Sequence, residues 1–223
     1  MKTDPPASSP RRSFLGAWTT AALAALACGC QSPPSGADAA RREPLRAIDR
    51  PVDLQRFMGD WFVVAHIPAP GETTAHNGVE SYRLLDDGTI ASTYAFRDGG
   101  FDCDVKVMQP NAVVWDKATN ATWGMQFFWP LRFEYLVTWL DADYQTVIVA
   151  RTSRDYAWIM ARRPDLDAAT LAGLEQQLAR QGYDVGKVRR VPQRWPDPGH
   201  PTQWRGNPAT AADSPSAARS TTR

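Results

Sequence analysis

Cysteine is scarce in this chain of 223 residues: there are three, and two of them, Cys28 and Cys30, close an apolar N-terminal segment. Cys103 is alone in the body, so a disulfide framework there is excluded unless Cys103 reaches back to the N-terminus. The fold must be held by core packing, which roughly 140 residues can supply. Charge of one sign is missing as well. The formal net charge is +1, and between Pro51 and Pro192 there are 14 Lys/Arg against 18 Asp/Glu, a balance of −4. So mildly acidic a body is not expected to capture a nucleic acid or another polyanion. Histidine is equally rare, with His66 and His76 in the body and His200 beyond it. No Cys/His cluster has metal-ligand spacing, no Gly-rich strand-to-helix loop cradles phosphate, and no nucleophile elbow is present. The expectation is a protein without cofactor and without catalysis, Cys103 being the sole candidate nucleophile.

Long hydrophobic runs are absent too. The longest, "FLGAWTTAALAALACGC" after Arg11–Arg12, falls short of the ~20 apolar residues a stable span needs, and residues 1–30 read as an export signal. "RRSFLG" resembles a twin-arginine signal, with a Sec-type positive region as the alternative. "LACGC" resembles a lipobox, in which a cysteine becomes the acylated first residue of the mature chain. Cys30, preceded by Gly29, is the preferred acceptor and Cys28 its rival; an ordinary cleaved signal with incidental cysteines is the third reading. The resemblance implies a membrane anchor through several acyl chains, since one chain binds only marginally. Gln31 after Cys30 implies the outer membrane, hence an envelope lipoprotein facing the periplasm. Residues 31–50 are small, polar and proline-bearing, a flexible tether, and residues 193–223 read as a disordered tail.

What the body does contain is strand signal. Short apolar or alternating runs separated by turns follow one another from "DWFVVAHI" to "YAWIMARR", with "DDG" between "VESYRLL" and "TIASTYAF" a strong hairpin signal. "FDCDVKVM" alternates with Phe101, Cys103, Val105 and Val107 on one face. Eight or nine consecutive strands argue an antiparallel meander. Helical spacing occurs once, in "DLDAATLAGLEQQLARQG", where Asp165 or Asp167 caps, Leu171, Leu174 and Leu178 form the stripe, and Gly182 stops the helix. Such a meander either flattens into a sandwich or closes into a barrel able to hold one small ligand. Six of the nine tryptophans fall between Trp61 and Trp158, a density that suits either a cavity or a sandwich core.

Three stretches decide between them. "MGDWFVVAHIP" carries Gly59-x-Trp61 at the start of the first strand; "LDADYQTVIVA" carries Asp143–Tyr144; "RDYAWIMARRP" ends on Arg162. Together, in this order and on this meander, they resemble the lipocalin family, in particular its bacterial outer-membrane and apolipoprotein D branch, over residues 51–192. The resemblance implies an all-β fold, an eight-stranded antiparallel up-and-down β-barrel with one C-terminal α-helix packed outside. It also implies that Arg162 lies across the indole of Trp61, closing one end of the barrel so that the other is a pocket for a small hydrophobic ligand.

Period-two alternation then assigns faces. With Trp61 inward, Val63, Ala65 and Ile67 follow it and His66 faces out. Tyr156, Trp158 and Met160 share the face of Arg162. By resemblance, Tyr135 and Trp158 line the cavity; Phe96, Trp123, Met125, Phe127, Val137 and Trp139 are weaker candidates, because a slip of one residue turns each outward. A pocket so lined suits a fatty acid or a lysophospholipid. Two alternatives stand beside this carrier: a cavity-based isomerase using Cys103, and a structural envelope lipoprotein with a filled barrel.

Overall fold

The computed structural model describes residues 43–204. Arg11–Arg12, Cys28, Cys30, most of the expected tether and the tail from residue 205 onward lie outside the described residues. Among the described residues no helix is long and apolar enough to cross a membrane.

A short helix, α1 (Leu54–Phe57), leads into ten strands: β1 (Gly59–Ile67), β2 (Ala75–Leu84), β3 (Ile90–Asp98), β4 (Val105–Met108), β5 (Asn111–Val114), β6 (Thr122–Phe128), β7 (Leu131–Leu140), β8 (Thr146–Ala150), β9 (Ala157–Ala161) and β10 (Arg189–Arg190). Each hairpin neighbour pairs antiparallel, and β9 returns to β1 from Phe62↔Ala161 to Ile67↔Ala157, so the sheet closes. The strands β4 and β5 pair successive stretches of β3 and occupy one place in the ring. The result is an eight-stranded up-and-down barrel, with β10 laid along β1 as a short addition. Closure satisfies the strand edges that an open meander would expose.

The helix α2 (Ala168–Arg180) packs outside. Asp167 Oδ1 accepts from the Thr170 amide at 2.8 Å, Leu171, Leu174 and Leu178 are buried, and Gly182 at φ +83° ends it. The leucine stripe joins Phe62, Val64, Ile148 and Ile159 in an outer core, distinct from the inner core around Trp61 and Trp123.

Register shifts occur in β1, β2, β6 and β7, and those in β1 and β7 change the faces that strict alternation assigns. In β1 the register slips between Val63 and Ala65. Val63 remains inside opposite Met160, whereas Ala65 and Ile67 join the outer core opposite Ile159 and Ala157. His66 therefore comes inward opposite Trp158, the reverse of the sequence expectation. In β7 the slip lies between Val137 and Trp139. Val137 and Leu140 belong to the inner core while Trp139 packs against the outer one. The extra residue in each case, Val64 and Thr138, re-aims everything beyond it. Ala65 and Trp139 are thus corrected: neither faces the barrel interior.

Three further expectations give way to packing. Phe101–Asp104 is a turn, not strand, and Cys103 is an exposed free thiol. Residues 43–50 lie along the barrel: Leu45 is buried, and the Ile48 amide donates to the Val137 carbonyl at 2.9 Å. Residues 193–204 form a strap. Trp195 and Trp204 meet Phe62 edge-on at 5.4 and 5.3 Å, His200 is buried, and Asp197 takes a bidentate bond from Arg97 at 2.6 and 2.9 Å. Asn77 ties it down, accepting from the Arg194 amide at 2.7 Å and donating to Asp197 Oδ2 at 2.6 Å.

Candidate binding cavity

The closed end of the barrel is built first. Asp53 caps α1 by accepting from the amides of Gln55 and Arg56, and α1 places Phe57, fully buried, beneath the barrel. Trp61 enters two residues after Gly59, whose φ of +93° lies in the left-handed region that a side chain resists. The indole Nε1 donates to the Phe57 carbonyl at 2.8 Å, and the Arg162 guanidinium lies 3.8 Å above its ring centroid. Arg162 also donates to five carbonyls: those of Arg56, Phe57 and Met58 at 2.8, 3.0 and 2.9 Å, that of Asp60 at 2.8 Å and that of Tyr144 at 3.4 Å. Burial pulls its pKa down to about 10, which leaves it a cation at neutral pH. Tyr144 closes the same end: its hydroxyl accepts from the Asp53 amide at 2.9 Å, and Arg56 lies 4.1 Å over its ring. Asp143 is outside this cluster, its carbonyl accepting from Gln145 at 3.1 Å.

Above this floor Trp123 stacks on Tyr135 at 4.8 Å and 3°, and Phe96 on Tyr94 at 4.8 Å. Over them opens a cavity of about 590 Å³. Tyr135, Trp158 and Tyr156 line it, as do Met125 and, at the rim, Phe127. Val63, Val137, Trp123 and Phe96 belong to the inner core and are not among its lining residues. The barrel's own side chains leave this space unfilled. Cys103 lies outside the lining, so the isomerase alternative loses the thiol it required.

The sequence reading missed the polar part of the wall. The Tyr82 and Tyr135 hydroxyls share a hydrogen bond of 2.7 Å, and burial holds both phenols well above their ordinary pKa. Glu80, on β2, accepts from Ser92 Oγ at 3.0 Å. Burial, reinforced by the nearby Glu72 charge, pushes its pKa up to about 8, so Glu80 is largely neutral at pH 7. Glu72 reaches in from the loop between β1 and β2 and accepts from Trp158 Nε1 at 3.0 Å; His66 Nδ1 stands 3.7 Å from the same oxygen. The clue in the sequence was phase: in "VESYRLL", Glu80 alternates with Tyr82 and Leu84. Sidedness put an acid inside, against the usual burial preference.

At the mouth Arg151 pairs with Asp155 at 3.0 Å and lies 5.3 Å over Tyr156. The β6–β7 hairpin projects beside it with Phe127, Phe128, Trp129 and Leu131 exposed, Trp129 at 86%.

Comparison with known proteins bears on this architecture. The family described as "Lipocalin-like domain" matches residues 52–193. The chain is 27% identical over 190 residues to the outer membrane lipoprotein Blc of Escherichia coli, covering 80% of this chain and 96% of the relative. It is 28% identical over 156 residues to temperature-induced lipocalin-1 of Arabidopsis thaliana, covering 64% and 80%. Among solved structures, insecticyanin of the tobacco hornworm Manduca sexta superposes with a TM-score of 0.53 at 16% identity, covering 67% of this chain and 84% of that one. The cockroach allergen Per a 4 gives 0.51 at 20% identity, covering 69% and 98%.

Proposed function

Because the chain belongs to the lipocalin family, we propose that its barrel takes up a small hydrophobic ligand, an acyl-chain amphiphile such as a fatty acid or lysophospholipid, for storage, transport or membrane maintenance. The observation that carries this reading is the aromatic-walled cavity of about 590 Å³ above a sealed floor. Each methylene buried there contributes about 0.8 kcal/mol, so a long chain binds with little polar readout. The exposed apolar hairpin at the mouth supports exchange with a lipid surface.

Uptake of the neutral apolar dye N-phenyl-1-naphthylamine, followed by fluorescence, tests the carrier. The dye is expected to bind and to be displaced by a long-chain alcohol, with Trp158→Ala weakening it roughly tenfold. Trp139→Phe, on the outer wall, is expected to leave affinity unchanged. No uptake by the wild type, and no adduct in native mass spectrometry, would sink the reading in favour of a structural barrel.

The place of action follows from the N-terminus. A signal ending in "LACGC" and a relative named outer membrane lipoprotein support an acylated envelope protein. Labelled palmitate is expected in the wild type and in Cys28→Ala but not in Cys30→Ala. The opposite pattern would move the anchor to Cys28, and an unlabelled wild type would abolish it.

A further inference from the structure

Most of the cavity wall is apolar, yet its inner part carries two carboxyl groups and no cation. Glu72 is 7% exposed and Glu80 lines the same space. Among the described lining residues the one cation is Arg151, at the mouth and already paired with Asp155. Tyr94 lines the same space with its ring, while its hydroxyl is packed against Gly78 on β2. Carboxyl groups set in an apolar wall are costly unless something fills their valences.

We propose that the ligand carries a protonated amine on its apolar body, and that its ammonium is received inside the barrel between Glu72 and Glu80, beside the ring of Tyr94. The proposal rests on the carrier reading and specifies its ligand. An ammonium supplies the N–H donors that both carboxyl groups can accept, and the Tyr94 and Trp158 rings offer π faces to the charge. A fatty-acid carboxylate in the same place would add a third acid; its head would have to stay at the mouth beside Arg151.

Binding has a proton consequence. Glu80 is faced by Glu72 from the β1–β2 loop, by Tyr82 on its own strand, by Ser92 and Tyr94 on β3 and by Tyr135 on β7; His66 adjoins Glu72, and Arg162 acts on Tyr82 from below. In the free protein Glu80 keeps its proton up to about pH 8. An arriving ammonium favours the ionised form, so the Glu80 proton passes to water as the ion pair forms. Amine affinity therefore rises with pH below that value, by at most tenfold per unit.

The test measures dodecylamine, dodecanol and dodecanoate as competitors of the neutral dye on the full-length protein. Dodecylamine is expected to bind about tenfold or more tighter than dodecanoate, and to tighten between about pH 6 and pH 7.5. Glu80→Gln is expected to weaken dodecylamine about tenfold, flatten its pH dependence and affect dodecylamine more than dodecanol. Dodecanoate binding as tightly as dodecylamine, or amine affinity indifferent to pH, would overturn the ammonium site while the carrier stands. Should none of the three displace the dye, the ammonium site falls; should the dye itself not bind, the carrier falls with it. The wild-type pH profile decides even if Glu80→Gln does not fold.

Discussion

Replacing Arg162 with alanine is expected to lower unfolding stability by about 3–5 kcal/mol. The guanidinium covers the face of Trp61 and binds the carbonyls of Arg56, Phe57, Met58 and Asp60. Three of those carbonyls lie at the end of α1, where a four-residue helix leaves its last acceptors unpaired. Loss of the side chain removes the cation–π contact and leaves the Arg56 and Met58 carbonyls to whatever water can enter, while the Phe57 carbonyl keeps the Trp61 indole. Several charge-assisted bonds at about 1.5–3 kcal/mol each, discounted for that rehydration, give the range stated. At roughly 2–4 °C per kcal/mol, the melting temperature should fall by about 10 °C. Arg162→Lys should recover only part of this, because an ammonium cannot fork across several carbonyls while lying flat on an indole. Urea melts of the three proteins measure it; a loss below about 1 kcal/mol for the alanine variant would mean that Phe57 and Trp61 hold the floor by themselves.

Ending the chain at Pro192, where composition places the domain boundary, should cost roughly 4–6 kcal/mol. The strap supplies aromatic contacts from two indoles to Phe62 and the carboxylate that pairs with Arg97, itself partly buried on the barrel surface. Hydrogen bonding to Arg97 holds the Asp197 pKa below the usual range, so the pair's contribution is present at neutral pH and fades as pH falls through the lowered pKa. Truncation also strips Asn77 of Arg194 and Asp197, its side-chain partners at the bulge of β2. The full-length Asp197→Ala variant isolates the ionic part and should lose less than the truncated chain. Equal stability of the truncated and full-length proteins would show that the strap merely rests on the barrel.

Much of this was legible in the chain, for stated physical reasons. The meander, the "DDG" hairpin and α2 declare themselves through period two, turn chemistry and period 3.6, and all three depend on neighbouring residues alone. The floor was legible through Gly59, Trp61 and Arg162 because the family resemblance linked residues a hundred positions apart. The bulges were not. Val64 and Thr138 are ordinary strand residues, and nothing local marks one as extra; the slip is set by β9 and β8 across the seam. Hence Ala65, Trp139 and His66 were each assigned to the wrong side. The strap was hidden by its prolines, glycines and arginines, although Trp195 and Trp204 were a sign that the segment had something to bury. Glu80 was in phase with the interior, but an acid among tyrosines reads as surface until its neighbours are known.

The bulge in β1 bears on how such a barrel tolerates a change in the length of its chain. Met160 and Ile159, the partners of Val63 and Ala65, are consecutive, so deleting Val64 would close the bulge and leave Ala65, His66 and Ile67 opposite the residues they face now. Trp61 and Val63 lie on the floor side of the slip and would keep their places. One residue can therefore be lost from this strand with the sealed end and the rim both inherited intact, only the Val64 side chain leaving the outer core.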